Sequence, residues 1–213
     1  MRRLPVYLLL DVSGSMRGEP IKAINEGIKI LTEQLRCNPY ALETAHISII
    51  CFNNTVEQVV PLTELYKFSV PELEARLGTY IGKAIKFLSI KAEEEVVKTT
   101  HEKKGDWKPL VFIMSDGRSG DKVSKAMTEF NKDLFGNIFI CVTGKEPNID
   151  ALRLISNNII QIEELNRESI HGYFKWISAS VSTTSTHIEE HNNDTVPIDE
   201  LPPLPAKINL VKL

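Results

Sequence analysis

The sequence predicts an α/β fold: a doubly wound, mostly parallel sheet with one antiparallel edge strand and helices on both faces. Three observations carry this. From residue 6, short β-branched apolar runs alternate with longer stretches of helical period, the pattern of successive βαβ units. After the first run, Ile21, Ile24, Ile28, Leu31 and Leu35 recur at alternating spacings of three and four, so one helical stripe faces the sheet. Asn53-Asn54 alone separates two strand-like runs, and the tolerance of asparagine for positive φ suits a tight hairpin at one edge.

The first strand is Val6 to Leu10, and Pro20 suits the first position of the helix that follows. Ile47 to Phe52 and Thr55 to Leu62 form the hairpin. Leu110 to Ser115, Asn137 to Val142 and Asn158 to Ile162 read as further strands. Helical period covers Tyr80 to Lys98, Asp121 to Leu134, Ile149 to Ile155 and Arg167 to Val181. Periodicity stops near Ser182. Residues 1–182 are therefore expected to form the domain and 183–213 a polar, proline-bearing tail, with five Asp/Glu against two Lys. In that tail Ile208, Leu210 and Leu213 are apolar enough to dock. No internal repeat is evident.

A length of 213 residues fits one compact domain with an appendage. With 42% hydrophobic and 25% charged residues, disorder and a disulfide scaffold are excluded. A net charge of −3 is too balanced for nucleic acid to be the main partner. The longest apolar runs fall far short of the ~18 residues that cross a bilayer. Met1-Arg2-Arg3 and Leu4 to Leu10 imitate a signal peptide, but Pro5 interrupts the run, Asp11 ends it, and no small-residue cleavage site follows; the mature chain is expected to start here. Three cysteines cannot all pair internally, and Cys51 and Cys141 lie in apolar runs, so a reducing, cytoplasmic location is expected.

The chemistry concentrates where the first strand ends, at Asp11-Val12-Ser13-Gly14-Ser15. Ligands of open α/β sheets bind beyond the carboxyl ends of the strands, and a carboxylate with two hydroxyls suits a hard divalent cation such as Mg²⁺. Leu110 to Ser115 ends in Asp116-Gly117, which brings a second carboxylate to the same edge if the two strands are neighbours. Two crowded carboxylates raise one another's pKa, whereas a bound cation favours their ionised forms. In the loop Gly78-Thr79-Tyr80-Ile81-Gly82, Thr79 offers a further hydroxyl. Taken singly, these residues have plain readings as turn and helix-capping groups.

Together the pieces resemble a known site. Asp-x-Ser-x-Ser after the first strand, Gly-Thr-x-x-Gly-x-Ala at Gly78 to Ala84, and Ser-Asp-Gly at Ser115 to Gly117 are similar, in order and separation, to the metal-ion-dependent adhesion site of the von Willebrand factor A domains. The resemblance spans roughly residues 4 to 182. It implies a Rossmann-like fold and a metal set of Asp11, Ser13, Ser15, Thr79 and Asp116, binding Mg²⁺, Mn²⁺ or Ca²⁺ directly or through water. Outside the motif, Arg2 to Val6, Met16 to Ile21, Asn38 to Glu43 and Asp106 to Leu110 resemble the TerY type of the bacterial tellurium-resistance and stress-response group. That likeness implies a cytoplasmic scaffold working with other Ter proteins, a kinase and a metal-dependent phosphatase. The expected mechanism is a shared bridge, in which an Asp or Glu of a partner protein completes the cation's coordination.

The enzymatic alternative is an aspartyl phosphotransferase or phosphatase, since an Asp closing the first strand beside Mg²⁺ can act as a nucleophile. Such enzymes generally want a second Asp two residues on, and here Ser13, a poor general acid, stands there. The chain is accordingly expected not to be an enzyme. No phosphate loop ending in Gly-Lys-Ser/Thr and no hydrolase elbow around Ser13 is present. His187-Ile188-Glu189-Glu190-His191 matches an inverted metalloprotease pattern, but it falls in the expected tail with no packed helix to orient it. Pro202-Pro203-Leu204-Pro205 reads as a stiff spacer, with a polyproline ligand as the alternative. Trp107, Pro109, Phe174 and Trp176 read as packing residues, and Arg17, Glu19 and Arg118 flank the metal set. His46, His101 and His171 have no ligand spacing.

Overall fold

A computed structural model of the chain describes residues 2–145, 147, 149–191, 195–206 and 208–211, with the backbone alone at 189–191. Seven strands form one sheet in the order β3-β2-β1-β4-β5-β6-β7. These are β1 (Leu4–Asp11), β2 (Ala45–Phe52), β3 (Val56–Glu64), β4 (Leu110–Ser115), β5 (Asn137–Thr143), β6 (Asn158–Ile162) and β7 (Ile208–Leu210). The five inner strands run parallel, and β3 and β7 pair antiparallel at the two margins. The helices are α1 (Glu19–Arg36), α2 (Pro39–Thr44), α3 (Ile81–Glu95), α4 (Val123–Met127), α5 (Asp150–Arg153) and α6 (Arg167–His191). Among the described residues no helix is long and apolar enough to cross a membrane.

Alternation along β1 builds two cores. Leu4, Val6, Leu8 and Leu10 face α1 and α6, meeting Ile24, Ile28, Leu31, Tyr173, Phe174 and Ile177. Tyr7 and Leu9 face the other way, onto Ile81, Ile85 and Leu88 of α3 and Val123 of α4. Because both faces are covered, β1, β2 and β4 are buried throughout. Trp107, Phe174 and Trp176 are buried packing residues, and Trp176 stands edge-on to Phe112 and Phe139.

The sequence reading is corrected at several places. The sheet has a second antiparallel margin, because the tail returns to pair β7 with β6 in the register Ile160↔Leu210 and Ile162↔Ile208. Residues after 182 are not all tail: α6 continues to His191, so the boundary drawn there falls inside a helix. The serine- and threonine-rich sequence hides this by its low helix propensity. Yet Val181, Thr184, Ser185 and Ile188 lie buried on one face, and the Thr184 and Thr186 hydroxyls donate to the Ser180 and Ser182 carbonyls. The helix expected over Asp121 to Leu134 is only α4 plus a 3₁₀ turn at Lys132–Leu134. The short α2, capped by the Asn38 side chain accepting from the Ala41 amide, was not foreseen.

The tail is held by specific contacts. Trp176 Nε1 donates to the Pro202 carbonyl at 2.8 Å, Asn137 Nδ2 to the Val196 carbonyl at 2.9 Å, and the Val211 amide to the Ile159 carbonyl at 2.8 Å. Val196 and Ile208 join the α1/α6 core, while Leu210 turns outward and Leu213 lies outside the described residues.

Candidate metal centre

Chain order reverses between β1 and β4. From β1 the chain moves outward to β2 and β3, then returns to place β4 on the other side, so the β1/β4 boundary is the switch point at which such sheets bind ligands. The register Leu10↔Met114 sets the carboxyl ends of these strands side by side, with Asp11 closing one and Ser115-Asp116 the other.

Asp11 is fully buried. The Ser13 amide donates to its Oδ1 at 2.8 Å, and the Ser115 hydroxyl donates to its Oδ2 at 2.8 Å. After Asp11 the chain turns through the 3₁₀ segment Gly14–Met16, which anchors the buried Met16 and leaves Ser15 exposed. Ser13 and Ser15 thereby face one another, their Oγ atoms 2.9 Å apart. Asp116 is half-buried, and its Oδ1 accepts from the Arg118 amide at 3.0 Å.

Burial pushes the Asp11 carboxyl up to about 6 against the donors at Ser13 and Ser115, which favour its charged form, and the negative Asp116 adds to the rise. The donors at Ser13 and Ser115 are neutral groups and offset only part of the burial. A buried carboxylate facing a second carboxylate is a site that a positive ion would relieve. The donors are carboxylate and hydroxyl oxygens, which fits a hard cation better than one seeking thiolate or imidazole. Among the described residues no group of three His, Cys, Asp or Glu that could hold a metal ion forms, at this site or elsewhere, so an ion held here would depend on hydroxyls beside the two carboxylates.

Thr79 lies on a loop with two backbone ties. Gly78 has φ +86°, and a Cβ there would lie 2.8 Å from Asn54 Cβ, so only glycine lets the loop pass the β2–β3 hairpin. The Tyr80 amide donates to the Asn53 carbonyl, and the Gly120 amide to the Thr79 carbonyl at 2.7 Å. The Thr79 loop is thus tied both to the hairpin and to the loop that carries Asp116. Thr79 does not cap α3; that position is Tyr80, whose side chain makes no capping bond.

The actual cap was missed in the sequence. Asp121 accepts from the Gly82 and Lys83 amides at 3.0 and 2.8 Å, and the Ser119 hydroxyl accepts from the Ile81 amide while donating to Asp121. A Cβ at Gly82 would sit 2.9 Å from Asp121 Oδ2, so the second glycine of the motif admits this carboxylate. Nothing local signals the arrangement, because cap and helix lie nearly forty residues apart. The structure therefore links Ser13 to both Asp11 and Ser15, sets Asp116 within electrostatic reach of Asp11, and ties the Thr79 loop by backbone bonds to the hairpin and to the loop after Asp116.

The His187 to His191 motif lies on α6, not in a structureless tail. His187 Nε2 approaches Glu200 Oε2 at 3.4 Å, while the side chains of Glu189, Glu190 and His191 lie outside the described residues. All three cysteines are free, with Cys51 and Cys141 buried and Cys37 exposed.

The von Willebrand factor type A domain family matches residues 6–164. Among solved structures, a von Willebrand factor type A protein from Catenulispora acidiphila is similar over 85% of this chain and 43% of its own, at 15% identity and TM-score 0.64. Proximal thread matrix protein 1 of the mussel byssus, in a form with a zinc-occupied MIDAS motif, is similar over 85% of this chain and 48% of its own, at 15% identity and TM-score 0.58. This chain therefore spans less than half the length of either protein. BatB from Bacteroides thetaiotaomicron is similar over 82% of this chain and 97% of its own, at 15% identity and TM-score 0.53. No curated protein matches the chain. At these identities the structural neighbours speak for the fold, and the family match covers most of the sequence. The chain belongs to the von Willebrand factor type A domain family, whose domains commonly serve as metal-dependent protein-interaction modules.

Proposed function

We propose that the chain is a metal-dependent protein-interaction module of the TerY type, working in bacterial tellurite resistance and stress response. The carrying observation is the buried Asp11 carboxylate, held by the neutral donors Ser13 and Ser115 and within electrostatic reach of Asp116. In this reading Asp11, Ser13, Ser15, Thr79 and Asp116 hold Mg²⁺, with Mn²⁺ or Ca²⁺ as substitutes. Bound there, the cation supplies an open coordination position for an Asp or Glu of a partner protein. From a turn anchored by Met16, the exposed Ser15 hydroxyl meets that of the buried Ser13, and Ser115 keeps Asp11 aimed.

The TerY-type assignment rests on the segments Arg2 to Val6, Met16 to Ile21, Asn38 to Glu43 and Asp106 to Leu110. Other Ter proteins, a kinase and a metal-dependent phosphatase are the partners it suggests. Three unpaired cysteines agree with a reducing, cytoplasmic setting. The module is read as a binder and not as an enzyme, because Ser13 stands where a phosphotransferase would want its acid. Pull-down of a partner in Mg²⁺ and in chelator, with Asp11→Asn and Asp116→Asn, tests the proposal; capture indifferent to chelator and to both substitutions defeats it.

A further inference from the structure

Three arginines at this rim have no hydrogen bond or ion pair for their guanidinium groups among the described residues, and each lies on a different loop of the metal set. Arg17 is two residues past Ser15, Arg76 three before Thr79, and Arg118 two past Asp116. All three are exposed. Of the other arginines, four are engaged: Arg3 with Asp106, Arg36 with the Leu65 and Phe68 carbonyls, Arg167 with Glu26, and Arg2 stacked over Trp107; Arg153, at the end of α5, is exposed like the rim three. Three of the exposed arginines thus stand within three residues of a member of the metal set, on the loops an incoming carboxylate would meet.

The surrounding acids do not cancel them equally. Asp121 is committed to the α3 amides. Glu57, Glu72 and Glu74 line a cavity of about 170 Å³ together with Arg76, so Arg76 has balancing charge beside it. Glu19 lies in the first turn of α1, where the helix dipole favours a negative charge. Arg17 and Arg118 remain as exposed guanidinium groups flanking the site. The Arg118 amide bond to Asp116 Oδ1 keeps the root of that side chain against the second carboxylate.

We infer that Arg17 and Arg118 read additional acidic side chains beside the one that completes the metal, so that the partner segment is a run of Asp and Glu and not a lone carboxylate. This deepens the function proposed above and rests on it. Guanidinium groups suit the task because they stay charged and grip carboxylates in a two-pronged fashion.

The test uses two fluorescent synthetic peptides, one with a single Asp among glycines and one with that Asp flanked by two Glu on each side. Each is titrated by fluorescence anisotropy against the full chain in Mg²⁺ and in chelator. The acidic peptide is expected to bind more tightly in Mg²⁺, and Arg17→Gln and Arg118→Gln each to weaken it about two- to fivefold, the scale of one exposed ion pair. Both variants should leave the single-Asp peptide unchanged. Lys98→Gln, which removes the same charge beyond the far end of α3, should alter neither peptide. Equal affinities for the two peptides in Mg²⁺, or arginine variants indistinguishable from Lys98→Gln, overturn this inference while leaving the metal bridge intact. Absence of metal-dependent binding by both peptides overturns the metal bridge, and this inference with it.

Discussion

The Ser115 hydroxyl donates to Asp11 Oδ2 at 2.8 Å, so the residue that introduces the second carboxylate holds the first one in place. The two strands that end at these residues are neighbours in the sheet, and the bond crosses the switch point between them. Ser115→Ala is expected to leave the Asp11 Oδ2 side without its donor, costing about 1–3 kcal/mol of stability and lowering metal affinity. Chemical denaturation and metal titration of the variant check both, and unchanged values in each would show the bond to be incidental.

Divalent metal should stabilise the protein. At about 100 times its dissociation constant, Mg²⁺ is expected to add about 2.7 kcal/mol, which for a domain of this size raises the melting temperature by roughly 5–10 °C. Asp11→Asn should abolish the shift. A melting curve indifferent to Mg²⁺ and chelator would count against an ion at this site.

The pH dependence has a defined sign. Because the folded Asp11 carboxyl is raised to about 6 from its ordinary value of 3.8, the metal-free fold retains this proton more readily than the unfolded chain does. Its contribution to stability is complete below about pH 4 and is lost as pH rises through about 6, a change on the order of 3 kcal/mol. In Mg²⁺ the proton and the ion compete, so the stabilisation by metal should grow over the same interval. Thermal melts from pH 4 to 8, with and without chelator, read the two slopes; parallel curves contradict the assignment.

Asp121 links stability to the site. Asp121→Ala removes the acceptor for the Gly82 and Lys83 amides and is expected to cost about 0.5–2 kcal/mol. It should also weaken metal binding by loosening the Thr79 loop, although Asp121 is not in the metal set. Calorimetric titration separates the effects, and a destabilised variant with wild-type metal affinity would confine Asp121 to capping.

Gly78→Ala combines a left-handed backbone with a Cβ 2.8 Å from Asn54. The expected loss is about 1–3 kcal/mol. Urea denaturation measures it, and a neutral outcome would mean that the loop relaxes away from the hairpin.

Much of this was legible before any coordinates, for identifiable reasons. Strands such as Leu110–Ser115 and Asn158–Ile162 are short apolar runs bounded by polar turns, and their limits agree residue for residue. The first strand's turn announced its oxygens because Asp11, Ser13 and Ser15 are close in sequence. What escaped was made of distant partners. Asp121 caps a helix that precedes it by nearly forty residues, and β7 exists only because Ile208–Leu210 meets a completed β6. The α6 extension escaped because Ser180, Ser182, Thr184 and Thr186 look unhelical until their hydroxyl bonds are seen.

The strand contributed by the tail acts as a cover for the sheet's own margin. Cutting the chain after residue 195 would strip the backbone partners from Ile160 and Ile162 and uncover Trp176, leaving an open parallel strand against apolar surface. Such a shortened protein should self-associate through that margin while keeping its metal response. Size-exclusion chromatography would show dimers or larger species, and a monomeric profile would mean that β6 tolerates solvent unaided.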